Sequence, residues 1–115
     1  MKDLYKIKNV NFSIVDKKDK CWNKFKNQRK KRGFDDSELW NLDHTISKFI
    51  LPRLKRFKNI TMGYPACITE KEWDDTLDTM INAFEYIVKE ETDTHQNEIK
   101  KGLDNFRKYF FNLWF

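Results

Sequence analysis

The segment 69–88, "TEKEWDDTLDTMINAFEYIV", decides the fold. Thr69 and Glu72 have the spacing of a capping box, in which each side chain accepts a hydrogen bond from the other residue's backbone N–H. Apolar residues then recur at the period of one helix face, namely Trp73, Leu77, Met80, Ile81, Phe84, Ile87 and Val88. The pattern predicts an amphipathic helix over 69–91 that must pack against other elements.

A second long helix is predicted over 35–58, since Asp35 and Glu38 repeat the capping signal. Its apolar face comprises Leu39, Leu42, Ile46, Phe49, Ile50, Leu54 and Phe57. Pro52 removes one helical hydrogen bond, so we expect a kink near 48–52 or a break into two helices.

Asp43 and Arg53 fall within this apolar face on a helical wheel, where a buried charge needs a partner. For Arg53, that partner is either an acid of the helix 69–91 or a ligand phosphate.

The segments before and after these two helices have different sequence patterns. Alternating apolar and polar residues predict a strand-like arm over 1–16, and 17–34 predicts a loop and a short basic helix that ends at Gly33. A last helix is predicted over 94–115, and its end is apolar on all sides of the wheel. The expected fold is mainly α: a compact bundle of three to four helices with a kinked central helix and a short N-terminal β-strand.

The composition predicts one folded domain over residues 1–115, because 36% charged residues accompany 16% aromatic residues. Cys21 and Cys67, and the lack of a hydrophobic leader, favour a reducing cytoplasm. No apolar run approaches the roughly 20 residues of a membrane span, so we expect no membrane association. The net charge of +5 is unevenly distributed, and with the unpaired strand and the apolar C-terminal segment it predicts a homo-oligomer, a dimer at least.

Three blocks between residues 32 and 84 carry a family resemblance: "WNLDHTI", "PRLKRF" and "GYPACITEKEWDDTLDTMINAF". They resemble blocks shared by small proteins of tailed bacteriophages, and the likeness covers about half of the chain. The resemblance implies an accessory phage protein, often a binder or inhibitor, that acts in the cytoplasm of the infected bacterial host.

The first functional hypothesis is a non-catalytic sponge that sequesters an anionic nucleotide signal of bacterial immunity. Guanidinium groups match phosphate geometry, and aromatic rings stack on bases. Trp40 and His44 lie on a second stripe of the 35–58 helix, which also includes Ser47, Leu51, Lys55 and Lys58. Packing of Trp40 against a neighbouring helix and solvation of the lysines are the favoured explanation of that stripe. The candidate ligand-binding residues are Arg53, Arg56, Lys55, Trp40, His44 and Tyr64.

The alternative is an inhibitor that binds nucleic acid or a host protein through the basic segment 17–32. Cations would contact the phosphates and rings would stack on bases, although charge runs are often merely solvated. The candidate patch is Trp22, Lys24, Lys26, Arg29, Lys30, Lys31 and Arg32. We expect no enzyme, metal or cofactor, because no ligand spacing, glycine-rich phosphate loop or nucleophile motif occurs.

Overall fold

The protein is mainly α-helical. The structure is a computed structural model that describes residues 12–114. Within that range the α-helices are α1 (Trp22–Arg32), α2 (Leu42–Ile60), α3 (Glu70–Val88) and α4 (Gln96–Lys108), with short 3-10 helices at Asp36–Leu39 and Phe110–Asn112. The prediction of a mainly α fold with three to four helices is confirmed.

The predicted N-terminal β-strand is not assigned among the residues that the structure describes. Most of the segment 1–16 lies outside the described residues, and residues 12–16 contain no regular secondary structure. The strand therefore stays a prediction.

The chain divides into two compact units, Met1–Thr45 and Ile46–Phe115. The second unit is built on α3, whose apolar face is buried from Trp73 to Phe84 and half-buried at Ile87 and Val88. Trp73 of α3 meets Tyr109 edge to face with ring centroids 5.5 Å apart, and Phe84 meets Phe106 at 5.1 Å. Leu54 of α2 completes the buried cluster, so three helical segments share this core.

Helices α3 and α4 approach each other closely at Gly102. A Cβ atom at that position would lie 2.2 Å from the carbonyl oxygen of Thr79 and 2.3 Å from the Cβ of Ala83. Only glycine leaves room for the α3 backbone at this crossing.

The helix predicted over 35–58 is divided, but at a different place. Asp35 and Glu38 do form a capping box, yet it caps the 3-10 helix Asp36–Leu39. Helix α2 then runs through Pro52 as one helix. The expected break at Pro52 is therefore wrong: proline removes one hydrogen bond, while Leu51 and Leu54 on either side of it pack into the core. A kink there stays a prediction.

The apolar face predicted for this segment is buried only in part. Leu54 is buried and Ile50 and Phe57 pack against the core, whereas other members of the face are exposed: Leu39, Leu42, Ile46 and Phe49. The expected burial of Asp43 and Arg53 is also wrong, because both side chains are exposed.

The last helix is shorter than predicted. Helix α4 ends at Lys108, and the backbone of Tyr109 (φ −107°, ψ 17°) leaves the helical region. Tyr109 thereby turns into the core against Trp73. The residues that the wheel placed around a continuing helix instead follow in the 3-10 helix Phe110–Asn112 and beyond.

Candidate nucleic-acid interface

Helix α1 in the first unit buries a single apolar side chain, that of Phe25. The Phe25 ring meets Trp40 edge to face with centroids 5.8 Å apart. Gly33, at φ 86°, ends the helix in the left-handed conformation, and its N–H donates to the carbonyl of Arg29. The chain can then turn back, so that the 3-10 helix Asp36–Leu39 packs beside α1.

Polar contacts fix α1 against this 3-10 helix. The Arg29 guanidinium forms an ion pair with Asp35, which has no exposed surface. Arg32 donates to Asp36 at 2.6 Å, and the Gln28 amide both donates to the Asp36 carboxylate at 2.9 Å and accepts from the Asp36 N–H at 2.8 Å. These contacts fix the rotation of α1 about its axis.

Asp35 is the centre of this polar cluster. Its carboxylate accepts hydrogen bonds from the Ser37 N–H at 2.9 Å and from the Ser37 hydroxyl. Its own N–H donates to the Glu38 carboxylate at 2.7 Å. Burial tends to raise the pKa of Asp35, but hydrogen bonds from Ser37, Ser13 and Arg29 outweigh it and lower the pKa below the ordinary value of 3.8.

We expect this cluster to make the first unit sensitive to acid. Because the folded-state pKa of Asp35 is depressed, its contribution to stability is complete above the unfolded-state pKa of about 3.9 and is lost as pH falls through the folded value. Helical content between pH 7 and pH 2, followed by circular dichroism, should fall below about pH 4. Asp35→Asn should weaken this pH dependence; an unchanged acid limb would contradict the assignment to Asp35.

The outer face of α1 carries four lysines and two asparagines, all exposed. Asn23 and Asn27 are one turn apart and form its centre line. At 100° per residue, Lys26 and Lys30 lie on one side of that line, whereas Lys24 and Lys31 lie on the other. The result is a row of amides between two rows of ammonium groups, and α1 contains no acidic residue to offset them.

The structure divides the basic patch predicted from sequence. Lys24, Lys26, Lys30 and Lys31 lie together on the exposed face of α1. Arg29 and Arg32 instead bind the acids of the 3-10 helix. Trp22 is half-buried, with the Arg29 guanidinium 5.5 Å from its ring centroid. Sequence reasoning missed Asn23 and Asn27, although their spacing of four in a basic helix was a usable signal.

The cations of the predicted nucleotide site have different contacts. Arg53 donates to the carbonyl of Phe49 at 2.7 Å, and its guanidinium lies 3.9 Å from the centre of that ring. Lys55 lies 3.8 Å from the Glu85 carboxylate of α3. Arg56 is exposed, and the helical period places Lys55 about 100° away from it. Arg53 and Arg56 are three residues apart and lie on one side of α2, whereas Lys55 lies on another.

The aromatic and imidazole candidates belong to both units. In the first unit, Trp40 is exposed and contacts Phe25, and His44 is half-buried. In the second unit, Tyr64 lines a cavity of about 430 Å³ with Met62 and Trp114.

Three C-terminal members of the predicted second stripe, Ser47, Leu51 and Lys58, are buried, packed against the core or paired with an acid. Ser47 is buried and Leu51 packs against the core. Lys58 donates to the Asp78 carboxylate at 2.7 Å, and this hydrogen bond raises the Lys58 pKa above 10.5. Packing and ion pairing with α3 therefore account for these side chains.

Besides the cavity at Tyr64, the described residues of the second unit line a cavity of about 360 Å³ beside the start of α4. Arg53, Lys55 and Arg56 line neither of them. Among residues 12–114, no group of three or more His, Cys, Asp or Glu side chains could hold a metal ion. None of the helices in that same range is long and apolar enough to cross a membrane.

No family model matches the chain, and no curated protein or solved structure matches it. The resemblance to tailed-phage proteins therefore stays a prediction.

Proposed function

We propose that the chain is a non-catalytic protein that binds duplex DNA through the outer face of α1. The observation that carries the proposal is the amide row of Asn23 and Asn27 between two rows of lysine. Lysine ammonium groups neutralise phosphates, and an asparagine amide can donate and accept at the edge of an adenine. The face thus combines the chemistry of backbone binding with that of base recognition.

The dimensions of α1 suit the major groove of B-form DNA. Its 11 residues span about 16 Å, and the groove is about 12 Å wide, which admits one helix. With the asparagines directed at the base edges, the two lysine rows would lie toward the two groove walls. The deep, narrow major groove of A-form RNA does not admit a helix in this way, so the proposal favours DNA.

The distribution of charge also supports binding of a polyanion by the first unit. The unit Met1–Thr45 holds 12 Lys/Arg and 7 Asp/Glu, so its formal charge equals the whole net charge of +5. Arg29 and Arg32 are engaged in internal ion pairs, whereas the four lysines of the outer face extend into solvent. An exposed cationic face of this kind steers a polyanion toward the helix.

The sequestration of a nucleotide stays a prediction that this geometry supports less well. Arg53 is held on Phe49 and Lys55 on Glu85, so a nucleotide would have to displace contacts that are already made. The anti-defence role implied by the phage resemblance is compatible with either ligand.

The test compares two variants that lose the same charge. Lys24, Lys26, Lys30 and Lys31 are changed together to glutamine, which keeps helix propensity. The control changes four exposed lysines of the second unit, Lys71, Lys89, Lys100 and Lys101, to glutamine. Binding to fluorescent duplex DNA is measured by anisotropy over a range of salt concentrations.

We expect the α1 variant to raise Kd at least about tenfold. The slope of log Kd against log salt concentration should also fall, by about 0.9 for each phosphate that lysine no longer neutralises. The control should change Kd by less than about threefold. Equal losses in both variants would mean that net charge alone attracts DNA, and an absence of binding by the unaltered protein would refute the proposal. Asn23→Ala with Asn27→Ala should reduce discrimination between adenine-containing and adenine-free duplexes while retaining salt-sensitive binding.

A further inference from the structure

The second unit presents a large apolar surface around its last residues. Phe111 and Trp114 are 87% and 74% exposed, and Met62 is 91% exposed. We call this the aromatic surface; it comprises Ile60, Met62, Tyr64, Phe110, Phe111 and Trp114. An exposed set of this size is comparable to the largest apolar patch of a typical monomer, and patches of that size are often functional.

The members of the aromatic surface form two groups that are adjacent along the chain. The rings of Phe110 and Phe111 meet edge to face with centroids 5.6 Å apart. Asn112, next along the chain, lines the 430 Å³ cavity together with Met62, Tyr64 and Trp114. None of the described residues that line this cavity has a charged side chain, so it suits an apolar ring better than an ionic ligand.

We propose that the aromatic surface joins two copies of the chain in a symmetric homodimer. A two-fold interface uses the same patch on both partners, so a ring at Phe111 or Trp114 of one copy can enter the cavity of the other. The proposal concerns a surface and a partner separate from the DNA-binding face of α1.

The area agrees with this assignment. An aromatic side chain presents about 150–250 Å² when fully exposed, so the exposed fractions of the four rings leave roughly 500 Å² of ring surface. A standard interface buries about 800 Å² per partner, and about 65% of a homodimer interface is apolar. The rings alone supply about that apolar share, before Met62 and Ile60 are added.

The charge of the second unit permits self-association. Residues 46–115 hold 11 Lys/Arg and 11 Asp/Glu, a formal net charge of zero. Two such units meet without the repulsion that two copies of the basic unit would experience, and near-neutral surfaces favour association. Pairing through the second unit is therefore electrostatically less costly than pairing through the first.

Light scattering coupled to gel filtration, over a dilution series, tests the dimer. The unaltered protein should show twice the chain mass of 14.1 kDa at the highest concentration. Phe111→Ser with Trp114→Ser should reduce the mass to one chain while circular dichroism is unchanged, because both side chains already lie in solvent. The matched control, Ile46→Ser with Phe49→Ser, removes two exposed apolar side chains of α2 and should leave the dimer intact.

A second variant, Met62→Glu, tests the same surface independently, in case the first variant does not fold. It places a charge on the most exposed member of the aromatic surface, so each copy would bring an unpaired carboxylate into the apolar interface and the dimer should dissociate. A single-chain mass for the unaltered protein at every concentration would overturn the proposal. So would a dimer that survives both aromatic-surface variants but dissociates in the α2 control.

Discussion

Gly102→Ala is expected to lower the free energy of unfolding by about 2 kcal/mol. Alanine in a helix is normally favoured over glycine by about 1 kcal/mol, so propensity alone predicts the opposite sign. The added Cβ would lie 2.2 Å from the Thr79 carbonyl oxygen and 2.3 Å from the Ala83 Cβ. Because the first contact is with backbone, relief requires α3 and α4 to separate, and overpacking of this kind costs about 3 kcal/mol.

Urea denaturation followed by circular dichroism measures this change. Gly63→Ala is the matched control, since no atom lies within 4 Å of its Cβ position and its φ is not positive. We expect the control to be neutral or stabilising by up to about 1 kcal/mol. Adding Ala83→Gly to Gly102→Ala should restore only part of the loss, because the Thr79 carbonyl stays in place. Equal stability of Gly102→Ala and the unaltered protein would show that the helices are farther apart than described.

Asp35→Ala is expected to destabilise the first unit by about 3 kcal/mol. The change removes the acceptor for the Ser37 N–H and hydroxyl and leaves Arg29, whose side chain is 20% exposed, without its partner. Loss of one partner of a buried pair is costly because the remaining charge stays desolvated. Loss of helical signal at lower urea concentrations would report the effect.

The control for Asp35 is Asp16→Ala. Asp16 accepts from the Lys18 N–H at 2.9 Å, but it is exposed, so its removal should cost less than about 1 kcal/mol. A double-mutant cycle with Arg29→Ala should show coupling of more than about 0.5 kcal/mol. Additive losses would mean that the ion pair makes no contribution beyond the packing of each side chain.

Local signals predicted helix α3 well. The capping box of Thr69 and Glu72 and the helical period after it lie within one stretch of chain, and α3 begins directly after Thr69. Most of the side chains that the wheel placed on the apolar face of α3 are buried, although Ile87 and Val88 are buried only in part and the buried Ala83 was not predicted. Such features depend on residues a few positions apart, so sequence alone suffices to find them.

Burial in α2 could not be predicted in the same way. A wheel shows that Leu42, Ile46 and Phe49 share an apolar face, but not whether another element covers it. The exposure of Arg53 has the same cause, because its partner is the ring of Phe49 on its own helix rather than an acid on α3. Tertiary packing, which the local pattern does not contain, decides both.

The sequence predicted that the segment containing α1 is strongly basic, but it did not predict which of its side chains share one exposed face. Pairing of Arg29 with Asp35 requires the chain to reverse at Gly33, and the charges of these two residues alone do not specify that contact. Once the pairing is known, the helical period assigns the remaining lysines and Asn23 and Asn27 to the opposite side.

The burial of a single apolar side chain in α1 also affects how readily this helix opens locally. Helices that bury little apolar surface open locally at a small free-energy cost, and α1 relies on Phe25 and on polar contacts with the neighbouring 3-10 helix. Its amide hydrogens would therefore exchange with solvent through fluctuations that leave the core around Trp73 closed. A polyanion bound along the lysine rows would slow that exchange, so part of its binding free energy would be consumed in holding the helix formed.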